Sequence, residues 1–493
     1  MQTEDFFMAS VWQDGKERKE YPALDKDIER DTVIIGGGIA GYLAAYRLTE
    51  AGENVTLIEA DRLFSGTTGR TTAKITYNQG NIYADLWKNY GKRVTALYYR
   101  AQVEGMRGFA ELREKYNIDC DWEETDGYIF SVGDCCAPEK QFKALREAGA
   151  DCTLVHSAGK MHAACAVKAE KQYLYDPLKF LTALPAEFEI YEHTRAVEID
   201  AEKKIVVTDN GRISAKNIVV ATRYPIINAH GGYIMRVYQS ESYTIAVDKR
   251  VVDEMYLDSR DDGLSLRPYA GGTLVGGGDH RMGRSKCGGK YEMLAKRAED
   301  LFGEVDVTHK WHAEDCMTFD GIPYVGQYAP RLQGVYVITG FNKWGMTNAM
   351  TAASVITSLV TGKENEFAAL YSPSRKMRGT LGKFLRNACV NAAGIFLGYF
   401  RVTFRGADDV PHGCGKIVRF HGKRRAVYRD YDDKLYAIGR MCPHMHCELR
   451  WNADSRTWDC PCHGSSFDIY GNALEPPTVK SARLIEEDDE KQE

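Results

Sequence analysis

Residues 31–60 read DTVIIGGGIAGYLAAYRLTEAGENVTLIEA, and this stretch decides the first part of the fold. A short apolar strand runs into a glycine turn, a segment with helical periodicity follows, and a second short apolar strand comes next. This order is that of a βαβ unit. Its turn is the G-x-G-x-x-G sequence of Gly36, Gly38 and Gly41, and Glu59 follows the second strand.

The glycine turn predicts a dinucleotide site. In such sites the pyrophosphate lies at the N-terminus of the helix, and an acidic residue after the second strand, here Glu59, binds ribose hydroxyls. Glycines at these positions also permit tight packing of a strand against a helix, so the turn by itself is weak evidence. The βαβ context and the acidic residue together favour the dinucleotide.

The composition is that of a globular protein of two or three domains. The chain has 493 residues, of which 44% are hydrophobic and 27% charged, with a formal net charge of -5. This mixture gives no reason to expect a nucleic-acid partner. The first residues lack the pattern of a secretory signal, and no apolar run is long enough to span a membrane, so we expect a cytoplasmic protein. Residues 390–404 come nearest and predict either a packed linker helix or an interfacial helix in peripheral contact with a membrane.

The C-terminal part concentrates cysteine and histidine. Cys442 and His444 form a C-x-H motif, and Cys460 and His463 form a C-x-x-H motif. A Rieske [2Fe–2S] centre binds one iron through two thiolates and the other through two imidazoles, which requires two loops of this kind. The same four ligand types also suit a zinc ion. The spacing favours His444 over His446 as the ligand on the first loop.

A second cysteine on each loop strengthens the iron–sulfur interpretation. The segments CPHMHC at 442–447 and CPCHGSSFD at 460–468, with 451–452, Gly471 and 476–477, resemble the Rieske proteins of cytochrome bc complexes. The resemblance implies a disulfide between Cys447 and Cys462 that ties the two cluster loops together. A cytoplasmic location would oppose this disulfide, because thiols stay reduced there.

Several segments between residues 31 and 362 resemble the FAD-dependent oxidoreductases of the D-amino-acid oxidase and glycine oxidase superfamily. They are SGTTGRTTAK at 65–74, TRAV at 194–197, NIVVAT at 217–222, and the glycine-rich stretches 318–326 and 340–347. Arg223 stands where the family has a glycine after Ala-Thr. The resemblance implies FAD, with contacts from Thr67, Thr68, Arg70, Thr71, Val197, Gly345, Met346 and Thr347.

The predicted fold class is α/β, with a Rossmann-like FAD-binding domain, an interleaved α+β substrate domain and a small all-β Rieske domain. Residues 28–362 form the oxidoreductase part, with FAD-binding segments 31–80, 166–228 and 318–362 and substrate segments 81–165 and 229–317. Residues 363–405 are a helical connector, and residues 406–485 form the Rieske domain.

The resemblance implies an enzyme that oxidises an amine or amino-acid-like small molecule. Arg267 and Lys343 are the candidate catalytic residues, and weaker candidates are Tyr243, Arg236, Lys74 and His280. We expect a dehydrogenase that passes electrons through the cluster to an external one-electron acceptor. The alternative is an electron-transfer component that receives electrons from NAD(P)H and feeds a partner protein. A second G-x-G-x-x-G βαβ unit, which the alternative would favour, is not found in the sequence.

Overall fold

The computed structural model describes residues 9–227, 230–285, 288–400 and 406–485, and for residues 396–400 the backbone alone. Residues 401–405 of the predicted connector and the acidic stretch 486–493 lie outside this part of the chain. The helices are α1 Ile39–Glu50, α2 Ile82–Tyr90, α3 Lys92–Lys115, α4 Cys136–Ala148, α5 Pro177–Ala183, α6 Tyr233–Arg236, α7 Lys290–Phe302, α8 Gly345–Val360, α9 Ala368–Tyr371 and α10 Leu381–Phe400.

The strands of the described residues fall into four sheets. In chain order they are β1 Ile28–Ile35, β2 Val55–Ile58, β3 Lys74–Ile75, β4 Glu123–Ser131, β5 Cys152–Val155, β6 Cys165–Leu174, β7 Glu189–Tyr191, β8 Ala196–Asp200, β9 Ile205–Thr208, β10 Arg212–Val220, β11 Val237–Val247, β12 Met255–Asp258, β13 Ser265–Tyr269, β14 Gly272–Arg281, β15 Val307–Thr318, β16 Tyr324–Gln327, β17 Val335–Thr339, β18 Cys414–Phe420, β19 Lys423–Arg429, β20 Leu435–Ile438, β21 Arg450–Asn452, β22 Thr457–Asp459, β23 Ser466–Phe467 and β24 Ala473–Glu475.

The predicted βαβ unit forms the centre of the first sheet. Strand β1 pairs in parallel with β2 on one side and with β10 on the other, and β17 and β7 extend the sheet in the order β16-β17-β10-β1-β2-β7. Val33, Ile34 and Ile35 are buried because helices or other strands cover both faces of β1. The small residues of α1, such as Ala44 and Ala45, pack against α8. Segments far apart in the sequence therefore build one nucleotide-binding layer.

The second sheet carries the predicted substrate domain. Its strand order is β15-β11-β14-β13-β12-β4-β6-β3, with β5 paired to β6. The predicted segment boundaries shift here, because β3 and β6 pair in this sheet although they lie in segments 31–80 and 166–228. The long antiparallel pairing of β6 with β4 holds β6 in this sheet, and β3 joins it by pairing with β6. Strand β15 lies at the sheet edge and faces the first domain.

The last eighty or so described residues form the predicted small all-β domain. It contains a three-stranded sheet, β18-β19-β20, and a four-stranded sheet, β21-β22-β23-β24. Helices α9 and α10 occupy the predicted connector. Asn387 and Asn391 of α10 are buried, so one face of this helix is packed, while Leu381 and Leu385 are exposed. None of the helices in the described part of the chain is long and apolar enough to cross a membrane. Peripheral membrane contact stays a prediction.

Candidate functional site

A cavity of about 540 Å³ opens at the carboxyl ends of β1, β2 and β10. This edge is where open α/β sheets bind their ligands. Both the α1 and the α8 N-termini face it, through Gly38, Ile39, Gly345 and Met346. Unpaired backbone N–H groups and the helix dipole make such termini favourable for negative charge. The cavity can therefore hold an anionic dinucleotide.

The glycine turn is required by close backbone approach. A Cβ atom on Gly41 would lie 2.0 Å from the Gly36 carbonyl oxygen. Gly36 itself has φ +113°, and a Cβ atom on it would lie 2.6 Å from the Ala221 carbonyl oxygen. A Cβ on Gly38 would meet only Thr68 Oγ1, at 3.2 Å. Gly36 and Gly38 line the cavity, whereas Gly41 acts through helix–strand packing.

Glu59 lies at the cavity wall, as the sequence predicts. Its carboxylate accepts hydrogen bonds from the backbone N–H of Gly37, at 2.6 Å, and of Asp61, at 3.0 Å. Burial raises its pKa. These two bonds fix the carboxylate at the end of β2, where it can still accept hydrogen bonds from ribose hydroxyls.

The second predicted loop, a 3-10 turn at Thr67–Arg70 followed by Thr71, also lines the cavity. Thr68 Oγ1 accepts a hydrogen bond from the N–H of Ile39 at 2.9 Å, which joins the loop to the start of α1. Thr67 donates to the carbonyl oxygen of Glu314 in β15, at 2.9 Å. The loop therefore connects the first domain to the edge of the second sheet.

Besides Gly41, two of the predicted FAD contacts lie outside the described lining of the cavity. The side chain of Val197 is 42% exposed, while its neighbours Thr194, Arg195 and Ala196 line the wall. Thr347 is buried behind the wall, where its hydroxyl donates to Gln102 at 2.7 Å. At both positions a neighbouring residue, Ala196 or Met346, lines the cavity.

Arg267 lies away from the cavity, contrary to the prediction that it is catalytic. The sequence predicts it as a catalytic residue, but its guanidinium is buried and donates to backbone carbonyl oxygens of four residues: Pro268 at 2.7 Å, Thr72 at 2.9 Å, Ala73 at 2.7 Å and Tyr175 at 3.3 Å. It is not among the described residues that line the cavity. Arg267 therefore fastens β13 to the loop before β3, and it is not placed to hold a substrate.

Lys343, the other predicted catalytic residue, does line the cavity. It lies just before α8 and forms an ion pair with Asp279 at 2.5 Å. Asp315 lines the cavity as well, and burial raises the pKa of its carboxyl to about 6. The four weaker candidates are absent from the described lining: Tyr243, Arg236, Lys74 and His280.

The four predicted cluster ligands converge at one end of the Rieske domain. Cys442 and Cys460 are buried, and a hydrogen bond from Cys442 lowers the pKa of Cys460. The rings of His444 and His463 lie edge to face, with 5.1 Å between their centroids and an interplanar angle of 84°. His446 is exposed, with φ +55°. The spacing rule that favours His444 thus agrees with the placement of the two side chains.

The donor set fits a Rieske cluster. The Nδ1 atoms of His444 and His463 are buried without a hydrogen-bond partner in the described part of the chain. Burial lowers the pKa of His463 to about 3, so its imidazole is neutral, as a metal ligand must be. Two buried sulfur atoms and two buried ring nitrogens without partners together provide the sites for two irons.

The sulfur atoms of Cys447 and Cys462 lie at disulfide-bonding distance. We predict that mass spectrometry after denaturation and alkylation without reductant will find these two cysteines unlabelled and Cys414, a free cysteine of the same domain, labelled. Alkylation after reduction is the control and should label all three. Labelling of Cys447 and Cys462 without reductant would show that the pair is reduced in the protein as isolated.

The cluster loops dock on the second sheet through Gln239 of β11. Its Nε2 donates to the carbonyl oxygens of His463, at 3.0 Å, Gly464, at 2.9 Å, and Pro476, at 2.7 Å. A Cβ on Gly464 would come within 2.7 Å of the Gln239 side chain, so the contact is close. The Rieske domain is therefore held against the oxidoreductase domain by the loop that carries a cluster ligand.

Helix α10 covers the same loop. Arg281 donates to Asn387 at 2.7 Å and to the carbonyl oxygen of Cys462 at 2.9 Å, and Asn391 lies 3.4 Å from Nε2 of His463. A Cβ on Gly394 would lie 2.6 Å from the sulfur of Cys462. Sequence reasoning missed these residues because none belongs to a recognisable motif. Asn387, Asn391 and Gly394 could be noticed only as polar or small residues on a largely apolar helix, and Arg281, at the end of β14, carries no such signal.

Comparison with known proteins agrees with both predicted cofactors. The family described as FAD dependent oxidoreductase matches residues 31–359, and the Rieske [2Fe-2S] domain matches residues 401–486. A Bacillus subtilis (strain 168) protein named for a Rieske 2Fe-2S iron-sulfur centre, YhfW, is 31% identical over 497 residues, which cover 97% of this chain and 98% of that protein. Gamma-glutamylputrescine oxidoreductase of Escherichia coli (strain K12) is 22% identical over 71% of this chain and 88% of its own length.

The structure resembles solved amino-acid oxidases and related enzymes over the oxidoreductase part. Glycine oxidase from Geobacillus kaustophilus superposes with a TM-score of 0.59 at 18% identity, covering 71% of this chain and 99% of that chain. This likeness shows the fold alone. The match over residues 31–359 spans well over half of the chain and shows its family. The chain therefore belongs to the D-amino-acid-oxidase-type family of FAD-dependent oxidoreductases and carries a Rieske [2Fe–2S] domain in its C-terminal part.

Proposed function

We propose that this protein is a dehydrogenase that oxidises an amine or amino-acid-like substrate and passes the electrons through its Rieske cluster to an external acceptor. Bound FAD supplies an acceptor for a two-electron hydride, and the cluster supplies one-electron transfer. The observation that carries the proposal is the contact between Gln239 and the loop of the cluster ligand His463. It joins the two redox sites within one chain.

The contact lies directly beside the FAD cavity. Gln239 in β11 is the pairing partner of Cys316 in β15, and Cys316 lines the cavity. One strand pair and one side chain therefore separate the cavity wall from the backbone of His463. This short connection supports transfer within the chain over a role for the Rieske domain as a distant appendage.

The charged residues at the cavity support a substrate with an ammonium group. Asp315 lines the cavity, and no ion pair of its carboxylate is found among the described residues, whereas Lys343 is paired with Asp279. We assign Asp315 to the substrate ammonium and Lys343 to orienting this acidic end of the site. The relatives point to the same class, since one is named a gamma-glutamylputrescine oxidoreductase and one solved structure a glycine oxidase.

The acceptor is assigned to the opposite side of the cluster. His463 is buried against β11 and α10, whereas His444 is only half-buried and its neighbours Met445 and His446 are exposed. Electrons would thus arrive on the His463 side and leave on the His444 side. We place this reaction in the cytoplasm, and the identity of the one-electron acceptor is a question for experiment.

Anaerobic titration of the purified protein tests the proposal. Amines or amino acids should bleach the flavin absorbance, and the Rieske EPR signal should appear at the same substrate concentrations. NAD(P)H is the matched comparison and should leave both signals unchanged. Bleaching by NAD(P)H and by none of the amines or amino acids would instead favour an electron-transfer component that serves a partner protein.

A further inference from the structure

Arg223 has an unusual backbone conformation just after the end of β10. Its φ of +62° lies in the left-handed region that favours glycine. A non-glycine residue in the left-handed region is strained and persists there only where the surrounding structure holds it. The contacts of the side chain supply that support.

The guanidinium of Arg223 connects three parts of the molecule. It forms ion pairs with Glu475 of the Rieske domain, at 2.6 Å, and with Glu314 of β15, at 3.2 Å, and it donates to Thr67 Oγ1 of the second FAD loop at 3.1 Å. The side chains of Arg223 and Glu475 are each only 16% exposed, and that of Glu314 only 3%. Removing one partner from such a buried pair leaves an uncompensated charge, which is costly.

The Rieske domain forms part of the FAD cavity at this point. Eight of its residues belong to the wall: Ser455, Thr457, Ser466, Leu474, Glu475, Pro476, Thr478 and Val479. Arg223 lies in the same wall, beside the strand end at Ala221. A ligand that fills the cavity therefore touches both domains. The Arg223–Glu475 ion pair lies in the wall where the two domains meet.

Carboxylates in the cavity wall repel an anionic ligand unless a positive charge beside them compensates. Without Arg223, the carboxylates of Glu314 and Glu475 would face the cavity together. Glu314 would keep His312, at 3.3 Å, and Arg70, at 3.9 Å, whereas no other ion pair of Glu475 is found among the described residues. A glycine at position 223 would leave the Glu475 carboxylate without its ion pair. The arginine is therefore matched to the Rieske domain that lies against it.

We propose that the Rieske domain is a structural wall of the FAD site and that the Arg223–Glu475 pair latches this wall in place, so that FAD binding and Rieske docking stabilise each other. Such coupling is reciprocal: docking strengthens FAD binding by the same factor by which FAD strengthens docking. Arg223 and Glu475 are positioning residues in this scheme. The consequence is that a change at Glu475, in the other domain, weakens FAD binding.

The experiment measures FAD affinity in the full chain. Glu475→Gln removes the charge and keeps the shape, and we expect the FAD dissociation constant to rise by about 5- to 150-fold, the range typical of coupling between sites. Limited proteolysis of the connector at residues 363–405 should become faster in this variant, and added FAD should slow it again. The Rieske EPR signal should persist, because it reports that the domain is still folded.

The matched control is Glu448→Gln. Glu448 is also a largely buried carboxylate of the Rieske domain, but its ion pairs, with Arg424 and Arg440, stay within that domain. This variant should bind FAD as the wild type does. If Glu475→Gln proves insoluble, Glu475→Asp keeps the charge and shortens the side chain, and it should weaken FAD binding in the same direction.

A double-mutant cycle completes the test. Arg223→Met and Glu475→Gln together should weaken FAD binding by much less than the product of their separate effects, because both remove the same interaction. An unchanged or tighter FAD dissociation constant for Glu475→Gln, or effects that simply multiply, would overturn the proposal.

Discussion

Replacing Cys460 with serine should abolish electron output while leaving substrate-dependent reduction of the flavin close to the wild-type rate. Cys460 supplies one of the two buried sulfur atoms of the cluster site, and serine offers an oxygen where a soft thiolate is needed. The residue lies outside the lining of the FAD cavity within the described part of the chain. The change therefore separates the two redox sites.

The expected loss is large. Mutating residues that merely support metal ligands typically costs about 10- to 100-fold in metal affinity or activity, and removing a ligand itself should cost at least the upper end of this range. We expect turnover with a one-electron dye to fall about 100-fold or more. Rapid mixing with substrate should still bleach the flavin.

Iron and acid-labile sulfide analysis must accompany the kinetics. The wild type should contain iron and sulfide in equal amounts and should show a Rieske EPR signal on reduction, whereas zinc in their place would contradict the iron–sulfur assignment. Cys414→Ser is the matched control, because Cys414 is a half-buried free cysteine in the same domain. If the Cys460→Ser protein is folded and free of cluster but its dye turnover is unchanged, the relay through the cluster is wrong.

Local motifs carry most of what the sequence predicts about the site. The C-x-H and C-x-x-H loops each present two ligands over three or four residues, so the chain has little freedom to place them elsewhere. The glycine turn is equally local, because Gly36 and Gly41 are needed for one strand-to-helix crossing. In both cases a segment of a few residues specifies the backbone geometry that the chemistry requires.

Contacts between distant segments are a different matter. Gln239 and His463 lie 224 residues apart, and Arg223 and Glu475 lie 252 residues apart. Nothing in the local pattern around Gln239 distinguishes it from any polar residue on a half-buried strand. Arg223 could be noticed as a departure from the family, but its partner depends on how two domains pack. That packing depends on many residues spread over the surfaces of both domains, so no short segment predicts it.

Arg267 illustrates the same limit, because a strand with an arginine can present it to either face. The sequence places it in a substrate-domain strand, but only the structure shows that it points into the layer beneath β3. There it satisfies carbonyl oxygens that no other described donor is shown to reach, including those of Thr72 and Ala73. A buried polar group that loses its partner costs about 1–3 kcal/mol, so this arginine should matter for stability.

Arg267→Met should accordingly destabilise the oxidoreductase domain by about 3–5 kcal/mol, because several buried carbonyl oxygens lose their donor at once. The temperature at which FAD is released should fall by roughly 5–15 °C, as a change of this size implies for a large domain. The affinity for substrate, measured by flavin bleaching at a temperature where the variant is folded, should stay near that of the wild type.

Arg250→Met is the control, since Arg250 belongs to the same domain but its ion pairs with Glu123 and Asp253 are largely exposed and should be worth about 0–1 kcal/mol each. Arg267→Lys keeps the positive charge and loses the forked donor geometry, and it should fall between the wild type and Arg267→Met in stability. A role in substrate binding predicts the reverse pattern. In that case Arg267→Met would keep the FAD-release temperature of the wild type and lose its response to substrate, because a substrate-binding arginine contributes to affinity and little to the fold.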